Sequence, residues 1–155
     1  MQTPLLALYG KISRWPFGHW LFSKAVCFKA PYFGSISPVI TRLEHSRCEA
    51  VIKDRRAVHN HIGTVHAIAL CNLAELCAGV MTDASLPKGM RWIPKGMTVS
   101  YLKRAKDRMH AIATPMIPFT STDTGYDLPV NVDVLDSSGD KVFHAEIRMW
   151  MSPRK

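Results

Sequence analysis

The longest apolar stretch of the chain, residues 65–81, predicts a buried helix. Almost every residue in it is aliphatic, Cys, Met or Gly, and beyond His66 the polar side chains inside it are Asn72 and Glu75. A helix that is apolar on all sides is normally enclosed by the rest of a protein. The stretch is too short to cross a bilayer comfortably and carries a carboxylate near its middle, so we expect the core of a soluble domain rather than a membrane span.

Six other segments have the pattern of β-strands, with turn-forming residues between them. The predicted strands are residues 35–43, 47–53, 90–104, 107–115, 126–135 and 141–151. The clearest is 126–135, where Leu128, Val130 and Val132 alternate with polar or smaller neighbours. Residues 136–140 predict a hairpin between the last two strands. Two strands, one long helix and four antiparallel strands predict an α+β fold, with the sheet curled around the helix.

The first 32 residues are apolar and basic, and they predict one or two helices packed on the sheet. They do not form a signal peptide, because charged residues and the Pro16-Phe17-Gly18 break interrupt each apolar run. The less favoured alternative is a helix that lies on a membrane surface, with Trp15 and Trp20 in contact with lipid and basic residues beside them.

Length and charge indicate one domain with an anionic partner. At 155 residues and 47% hydrophobic residues, the chain can bury one core. Its net charge of +8 suits nucleic acid, an acidic membrane or a phosphate-bearing ligand. Basic residues cluster around the first strand after the helix: Lys88, Arg91, Lys95, Lys103, Arg104, Lys106 and Arg108. Aromatic residues do not interleave with this cluster, which argues against nucleic acid, while the alternative is that these charges keep a strand edge soluble.

The four cysteines, Cys27, Cys48, Cys71 and Cys77, show neither a Cys-x-x-Cys pair nor a disulfide framework. We therefore expect a reducing cytoplasm, with the two helix cysteines acting as small apolar residues. His59, His61 and His66 match no common zinc spacing, so no metal is expected.

Glu75 is the residue that we expect to act in catalysis. Burial of an unpaired carboxylate is costly and raises its pKa, an environment that suits a general base or nucleophile. The alternative is a structural carboxylate satisfied by a partner subunit. Because His66 and Glu75 are nine positions apart, they project from roughly opposite sides of one helix. A shared site is then most simply built across a two-fold dimer.

The pattern Asn60-x-x-Gly63-x-x-His66, with an acidic residue nine positions later on a long apolar helix, resembles the hotdog-fold acyl-CoA thioesterases related to phenylacetyl-CoA thioesterase. The wider run from His59 through Leu73-Ala74-Glu75 and Gly79 to residues 99–105 is more similar to a hotdog branch catalogued as a domain of unknown function. The resemblance covers roughly residues 33–151 and implies a hotdog domain at 33–155, preceded by a helical extension at 1–32.

The resemblance also implies an activity, the hydrolysis of a fatty or aromatic acyl-CoA. Glu75 would be the base or nucleophile, and Asn60 would hold the attacking water or the thioester oxygen. The backbone N–H of Ala67, where the common motif has Gly, would stabilise the oxyanion, and His66 would orient the loop.

The implied substrate contacts are Gly63, Gly79, Lys95, Lys103 and Arg104. Coenzyme A would enter as part of the substrate, so no separate cofactor is expected. The implied assembly is a homodimer, with a tetramer of two dimers as an alternative. Related enzymes often use a Ser or Thr on the strand after the helix, and this chain offers no hydroxyl there until Thr98. A non-catalytic acyl-CoA-binding or structural dimer therefore stays the alternative function.

Overall fold

The computed structural model describes residues 2–154, which form three α-helices, two short 3₁₀ turns and six strands. The helices are α1 (Pro4–Ile12), α2 (Gly18–Lys29) and α3 (Ala67–Ser85), with 3₁₀ turns at Pro31–Ile36 and Arg56–Val58. The strands are β1 (Val39–Glu44), β2 (Arg47–Ile52), β3 (Met90–Tyr101), β4 (Met109–Pro115), β5 (Tyr126–Leu135) and β6 (Lys141–Pro153).

The six strands form one antiparallel sheet in the order β1-β2-β4-β5-β6-β3. The six predicted strands are therefore confirmed, and the predicted bounds of β5 are those observed. Ser35 and Ile36 were predicted in a strand but lie in a 3₁₀ turn, which Pro31 favours at its first position because its φ is already fixed. Residues 102–104 leave β3 early, since the N–H groups of Leu102 and Lys103 share the carbonyl of Val142.

Helix α3 packs along one face of the sheet, and most of its residues are buried. It begins at Ala67 because the His66 ring caps it, with Nδ1 accepting a hydrogen bond from the N–H of Ile68 at 3.0 Å. It ends before Pro87, which favours the extended backbone observed at Leu86. By length and composition α3 could cross a membrane, but about 72% of its most apolar window is buried inside this fold. The predicted core helix is confirmed.

The opposite face of the sheet carries charged side chains in pairs. Along β5 the inward residues Leu128 to Val134 are fully buried at every second position. On the outer face, Glu49 accepts hydrogen bonds from Arg47 at 2.8 Å and pairs with His110 at 2.9 Å. Burial opposes ionisation of Glu49, but these two partners outweigh it and lower its pKa.

The two N-terminal helices lie beside β1, one of the two edge strands. The buried Ser23 hydroxyl of α2 accepts a hydrogen bond from the N–H of Ile40 at 2.8 Å and donates to the carbonyl of His19 at 2.6 Å. An outward-pointing N–H of the edge strand is thus satisfied by a helix. Tyr9 of α1 and Phe22 of α2 belong to the same core as the sheet. A domain boundary between residues 32 and 33 stays a prediction.

The other edge strand, β3, has no such cover within residues 2–154. It is 12 residues long, and two of its apolar side chains, Ile93 and Met97, are 59% and 38% exposed. A long edge with exposed apolar side chains is a template for pairing with another strand.

The cysteines are free thiols in this fold. Cys48 and Cys77 are fully buried between β2 and α3. The hydrogen bond with Cys77, together with burial, raises the pKa of the Cys48 thiol well above its ordinary value. Cys77, one of the two helix cysteines, is a small core residue as the sequence predicted, whereas Cys71 on the same helix is partly exposed.

Candidate active site

The loop that precedes α3 is shaped by the side chain of Asn60. Its Oδ1 accepts hydrogen bonds from the N–H groups of Ile62 and Thr64, each at 3.1 Å. Its Nδ2 donates to the hydroxyl of Thr64 at 2.8 Å. Gly63 lies at the tip with φ of +76°, a conformation that other residues adopt at a cost. Asn60 therefore acts first as the internal brace of the loop, and one hydrogen of its amide nitrogen is left for another acceptor.

Two further contacts fix this loop to the segment between β3 and β4 and to the 3₁₀ turn before it. The N–H of Val65 donates to the carbonyl of Ala105 at 2.9 Å, and the N–H of His66 donates to the carbonyl of Val58 at 2.8 Å. At the base of the loop, Asp54 pairs with the ring of His59 and accepts a hydrogen bond from the N–H of Asp107 at 2.9 Å. The hydrogen bond with His59 is the main reason that the pKa of Asp54 is lowered.

The loop before α3 satisfies one of the first N–H groups of the helix and leaves another without a partner in the described part of the chain. The N–H of Ile68 is taken by the His66 ring, whereas that of Ala67 finds no acceptor within residues 2–154. Because Nδ1 of His66 accepts a hydrogen bond, the proton of the neutral ring is on Nε2. An unpaired N–H at the positive end of a helix dipole is suited to a developing negative charge.

Ala67 contributes to the lining of a cavity of about 320 Å³. The cavity is lined by Asn60, Ile62, Thr64, Val65, Ala67, Leu70, Tyr101, Leu102, Lys103, Arg104 and Ala105. Four of the residues predicted for catalysis or substrate binding, Asn60, Ala67, Lys103 and Arg104, are thus brought together. Lys103 also pairs with Asp136 and Asp140, chiefly through the Asp140 hydrogen bond that raises its pKa.

Glu75 lies on a stripe of α3 that the chain leaves uncovered. Ile68 is exposed on this stripe, and Cys71 and Glu75 are partly exposed. The expectation of a fully buried carboxylate is therefore wrong for the single chain, because the sheet covers only one side of the helix. Glu75 has no hydrogen bond or ion pair within residues 2–154, and it lines neither cavity described here.

Tyr101 and Cys71 connect the stripe to the cavity. The Tyr101 hydroxyl, which lines the cavity, lies 3.5 Å from the Cys71 thiol, one turn before Glu75 on α3. The hydrogen bond with Cys71 raises the pKa of Tyr101. The sequence analysis gave Tyr101 no role and predicted Cys71 to be a small apolar residue, although the spacing of four between Cys71 and Glu75 was a usable signal.

A second cavity, of about 180 Å³, lies on the other side of the first turns of α3. Its lining includes Ser35, His59, His66 and Asn72. Asn72 is more than nine-tenths buried, and its Nδ2 donates to the Ser35 hydroxyl at 3.3 Å while its Oδ1 has no partner. A buried acceptor without a donor is costly. Asn72 precedes Glu75 by three positions, so their side chains emerge on neighbouring parts of the helix surface.

Two predicted substrate contacts lie elsewhere. Gly79 is buried against Trp92, and a Cβ there would come within 3.1 Å of the indole ring. Lys95 pairs with Asp127 at 3.1 Å and lies 4.6 Å from the centre of the Trp150 ring. Neither residue lines the two cavities. In the described part of the chain, residues 2–154, no group of three potential metal ligands comes together.

Comparison with known sequences identifies one family. The sequence model described as "Domain of unknown function (DUF4442)" matches residues 18–151. The match includes α2, α3, the first five strands and β6 up to residue 151. No match was found among the curated proteins.

Solved structures share the fold. A structural-genomics protein, APC5556, is 42% identical over 97% of this chain and 98% of its own, with a TM-score of 0.82. The thioesterase HI1161 of Haemophilus influenzae is 13% identical over 83% of this chain and 87% of its own, with a TM-score of 0.71. PA5026 of Pseudomonas aeruginosa, a protein of unknown function and probable thioesterase, is 18% identical over 85% and 93%, with a TM-score of 0.74. The predicted hotdog fold, a sheet around one long helix, is confirmed.

Proposed function

We propose, from the premise that this chain belongs to the DUF4442 family and has the hotdog fold, that it is an acyl-CoA thioesterase. The observation that carries the proposal is the unpaired N–H of Ala67, a residue that lines a cavity together with Asn60, Lys103 and Arg104. Thioester hydrolysis needs a donor for the oxyanion and a base for water. The cavity supplies the first, and Glu75 is the candidate for the second.

The proposed reaction begins with a water molecule between Glu75 and the thioester carbonyl. Glu75 removes one proton from the water as its oxygen bonds to the carbonyl carbon. The oxyanion that forms accepts a hydrogen bond from the Ala67 N–H, and the C–S bond then breaks. The CoA sulfur takes up the proton that Glu75 removed, which restores the carboxylate, and the acyl group leaves as the carboxylic acid.

The site is incomplete in one chain. Glu75 is eight positions beyond Ala67, about 12 Å along the axis of α3, and it does not line the cavity. An ordinary ligand site has a volume of roughly 300–1,000 Å³, so the observed cavity is at the small end. The bare β3 edge and the uncovered α3 stripe both support a homodimer in which Glu75 of one subunit faces the loop of its partner. Pairing through β3 would make one continuous antiparallel surface.

The proposed substrate is an acyl-CoA, and the proposed location is the cytoplasm. Lys103 and Arg104 at the cavity rim provide positive charge for the phosphates of coenzyme A. Gly63 lies at the exposed tip of the loop, where no described residue other than its chain neighbours has an atom within 4 Å of the position of a Cβ. Lys95 and Gly79 are assigned no contact with the substrate.

Hydrolysis of a panel of short, long and aromatic acyl-CoAs tests the activity. Glu75→Gln is nearly isosteric and removes the base, so we expect kcat to fall at least 100-fold, about 2.7 kcal/mol of transition-state stabilisation, with little change in CoA binding. Glu146→Gln makes the same substitution on the exposed face of β6 and should leave kcat unchanged. If the panel binds but wild type is no faster than Glu75→Gln, the protein is an acyl-CoA-binding dimer.

Mixed dimers test whether the site is shared. Asn60→Asp keeps the acceptors that brace the loop and removes the amide donor. If Glu75 and Asn60 act from different subunits, mixing Glu75→Gln with Asn60→Asp restores one intact site in each mixed dimer. Random reassortment then recovers about a quarter of wild-type activity. No recovery, with mixed dimers demonstrated by mass spectrometry, would place both residues of a site in one chain.

A further inference from the structure

Helix α2 turns an apolar and basic face towards solvent. Trp20, Leu21, Lys24 and Phe28 fall within an arc of about 100° on a helical projection. Trp20 is 52% and Phe28 90% exposed. On the other side of α2, Phe22 and Ser23 are buried. The outer face of a surface helix is normally polar, so this helix is apolar on both sides.

The turn before α2 extends this surface. Trp15 is 63% exposed and Phe17 85% exposed, and Leu8 of α1 is also exposed. We call Leu8, Trp15, Phe17, Trp20, Leu21 and Phe28 the aromatic surface. Contiguous exposed apolar area of this kind on a folded domain usually marks a binding surface.

The charged residues of α1, α2 and the turn between them have one sign. Lys11, Arg14, Lys24 and Lys29 are exposed, and the first acidic residue of the whole sequence is Glu44. Lys24 lies 5.7 Å from the centre of the Trp20 ring. Aromatic residues that protrude between cations, with no carboxylate near them in sequence, complement an anionic lipid surface. There the rings enter the headgroup region while the ammonium groups meet lipid phosphates.

We propose that the protein docks on anionic membranes through the aromatic surface, with Lys11, Arg14, Lys24 and Lys29 contacting lipid headgroups. A second copy of the chain would also bury apolar side chains, but it would bring these four cations against their equivalents. The docking surface is on the α2 side of the sheet, next to β1, whereas the proposed dimer edge is β3 at the other end. The proposal is independent of thioester hydrolysis.

Co-sedimentation with vesicles tests the proposal. The full-length protein should bind phosphatidylcholine vesicles that contain phosphatidylglycerol, about one lipid in three, and should bind pure phosphatidylcholine weakly. Each basic residue near such a surface contributes about fivefold in partitioning. Lys24→Glu with Lys29→Glu removes two positive charges and adds two negative ones, so it should lower binding at least about 100-fold. The matched control is Lys53→Glu with Lys88→Glu, two exposed lysines outside the surface, and it should retain most of the binding.

The aromatic contribution has its own variant pair. Trp20→Ser with Phe28→Ser should weaken vesicle binding about 10- to 100-fold. Met116→Ser with Ile117→Ser, two exposed apolar residues after β4, should not. Phe28→Trp should keep the binding and show that an aromatic ring is what is needed. Circular dichroism and solution hydrolysis of a short-chain acyl-CoA establish that each variant is folded.

Three results would overturn the proposal. They are an absence of binding to the anionic vesicles, equal binding with and without phosphatidylglycerol, and binding that the α2 variants leave unchanged. If Trp20→Ser with Phe28→Ser instead changes the oligomeric state in sedimentation equilibrium and vesicle binding is absent, the surface is an interface between copies. Tight binding of single-stranded oligonucleotides that is lost in the same variants, without vesicle binding, would make the partner a nucleic acid.

Discussion

The two edges of the sheet are treated in opposite ways. At one end, β1 is six residues long, carries a bulge between Ile40 and Arg42, and has its Ile40 N–H satisfied by Ser23 of α2. At the other end, β3 is twice as long and has exposed apolar side chains, and within residues 2–154 no helix residue satisfies its outer edge as Ser23 does for β1. A short, bulged and covered edge resists pairing with another strand, whereas a long and bare one favours it. The difference supports the direction of assembly that the proposed active site requires.

Blocking β3 should have the largest effect. Ile93→Lys with Met97→Lys replaces exposed apolar contacts with charges that would face their counterparts, and we expect the dimer dissociation constant to rise about 100-fold or more. Thioesterase activity should fall in parallel, because each site needs both subunits. Sedimentation equilibrium and the acyl-CoA assay measure the two effects.

The control for this variant is Met116→Lys with Ile117→Lys, which charges an apolar pair outside both edges. It should leave assembly and activity as they are. A wild-type protein that is monomeric at micromolar concentration would contradict the role assigned to β3, whatever the variants do.

Uncovering β1 should have a smaller effect, on stability rather than assembly. Ser23→Ala leaves the Ile40 N–H without its acceptor in a buried setting and should cost about 1–3 kcal/mol of unfolding free energy. Ser138→Ala, in the exposed β5–β6 turn, is the matched control. Urea denaturation measures the difference. A Ser23→Ala protein as stable as the control would mean that α2 does not hold this edge.

The smallest effect should appear in how the free energy of unfolding depends on acidic pH, through Glu49 at the β1–β2 end. The pKa of Glu49 on β2 is lowered in the folded state below its usual 4.5. The ionised carboxylate therefore stabilises the folded state fully above pH 4.5, and this contribution is lost as the pH falls through the lower pKa of the folded state. Strand β3 contains no acidic residue. Glu49→Gln should therefore cost at most about 1 kcal/mol near neutral pH and less below pH 4.

Denaturation of wild type and Glu49→Gln between pH 3 and pH 7 tests this expectation. The two stabilities should converge as the pH falls. A difference that grows towards acid would contradict the assignment, because it would require a raised rather than a lowered pKa in the folded state.

Much of the fold could be predicted because local patterns determine it. The apolar run ending in turn-forming residues gave α3, and the alternation of Leu128, Val130 and Val132 gave β5 with its observed bounds. The order of strands could not be predicted, since the pairing of β3 with β6 joins residues about 50 positions apart and leaves no local signal.

The candidate site was predictable only in part. The loop residues that line the cavity follow a spaced motif, so Asn60 and Ala67 could be named from sequence. The unpaired oxygen of Asn72 could not, because its environment depends on Ser35 in a distant 3₁₀ turn. The exposure of Glu75 depends on which side of α3 the sheet covers, and sequence periodicity cannot reveal this in a helix that is apolar nearly all round.

The hydrogen bonds inside the loop before α3 lower the entropic cost of assembling a site shared between two subunits. Asn60, Val65 and His66 hold that loop through contacts within one chain. Each subunit therefore loses the conformational entropy of the loop during its own folding. In the proposed dimer, association would then bring a carboxylate to an oxyanion pocket that is already ordered. A preorganised half-site of this kind binds its complement at a lower entropic cost than a loop that orders only on contact.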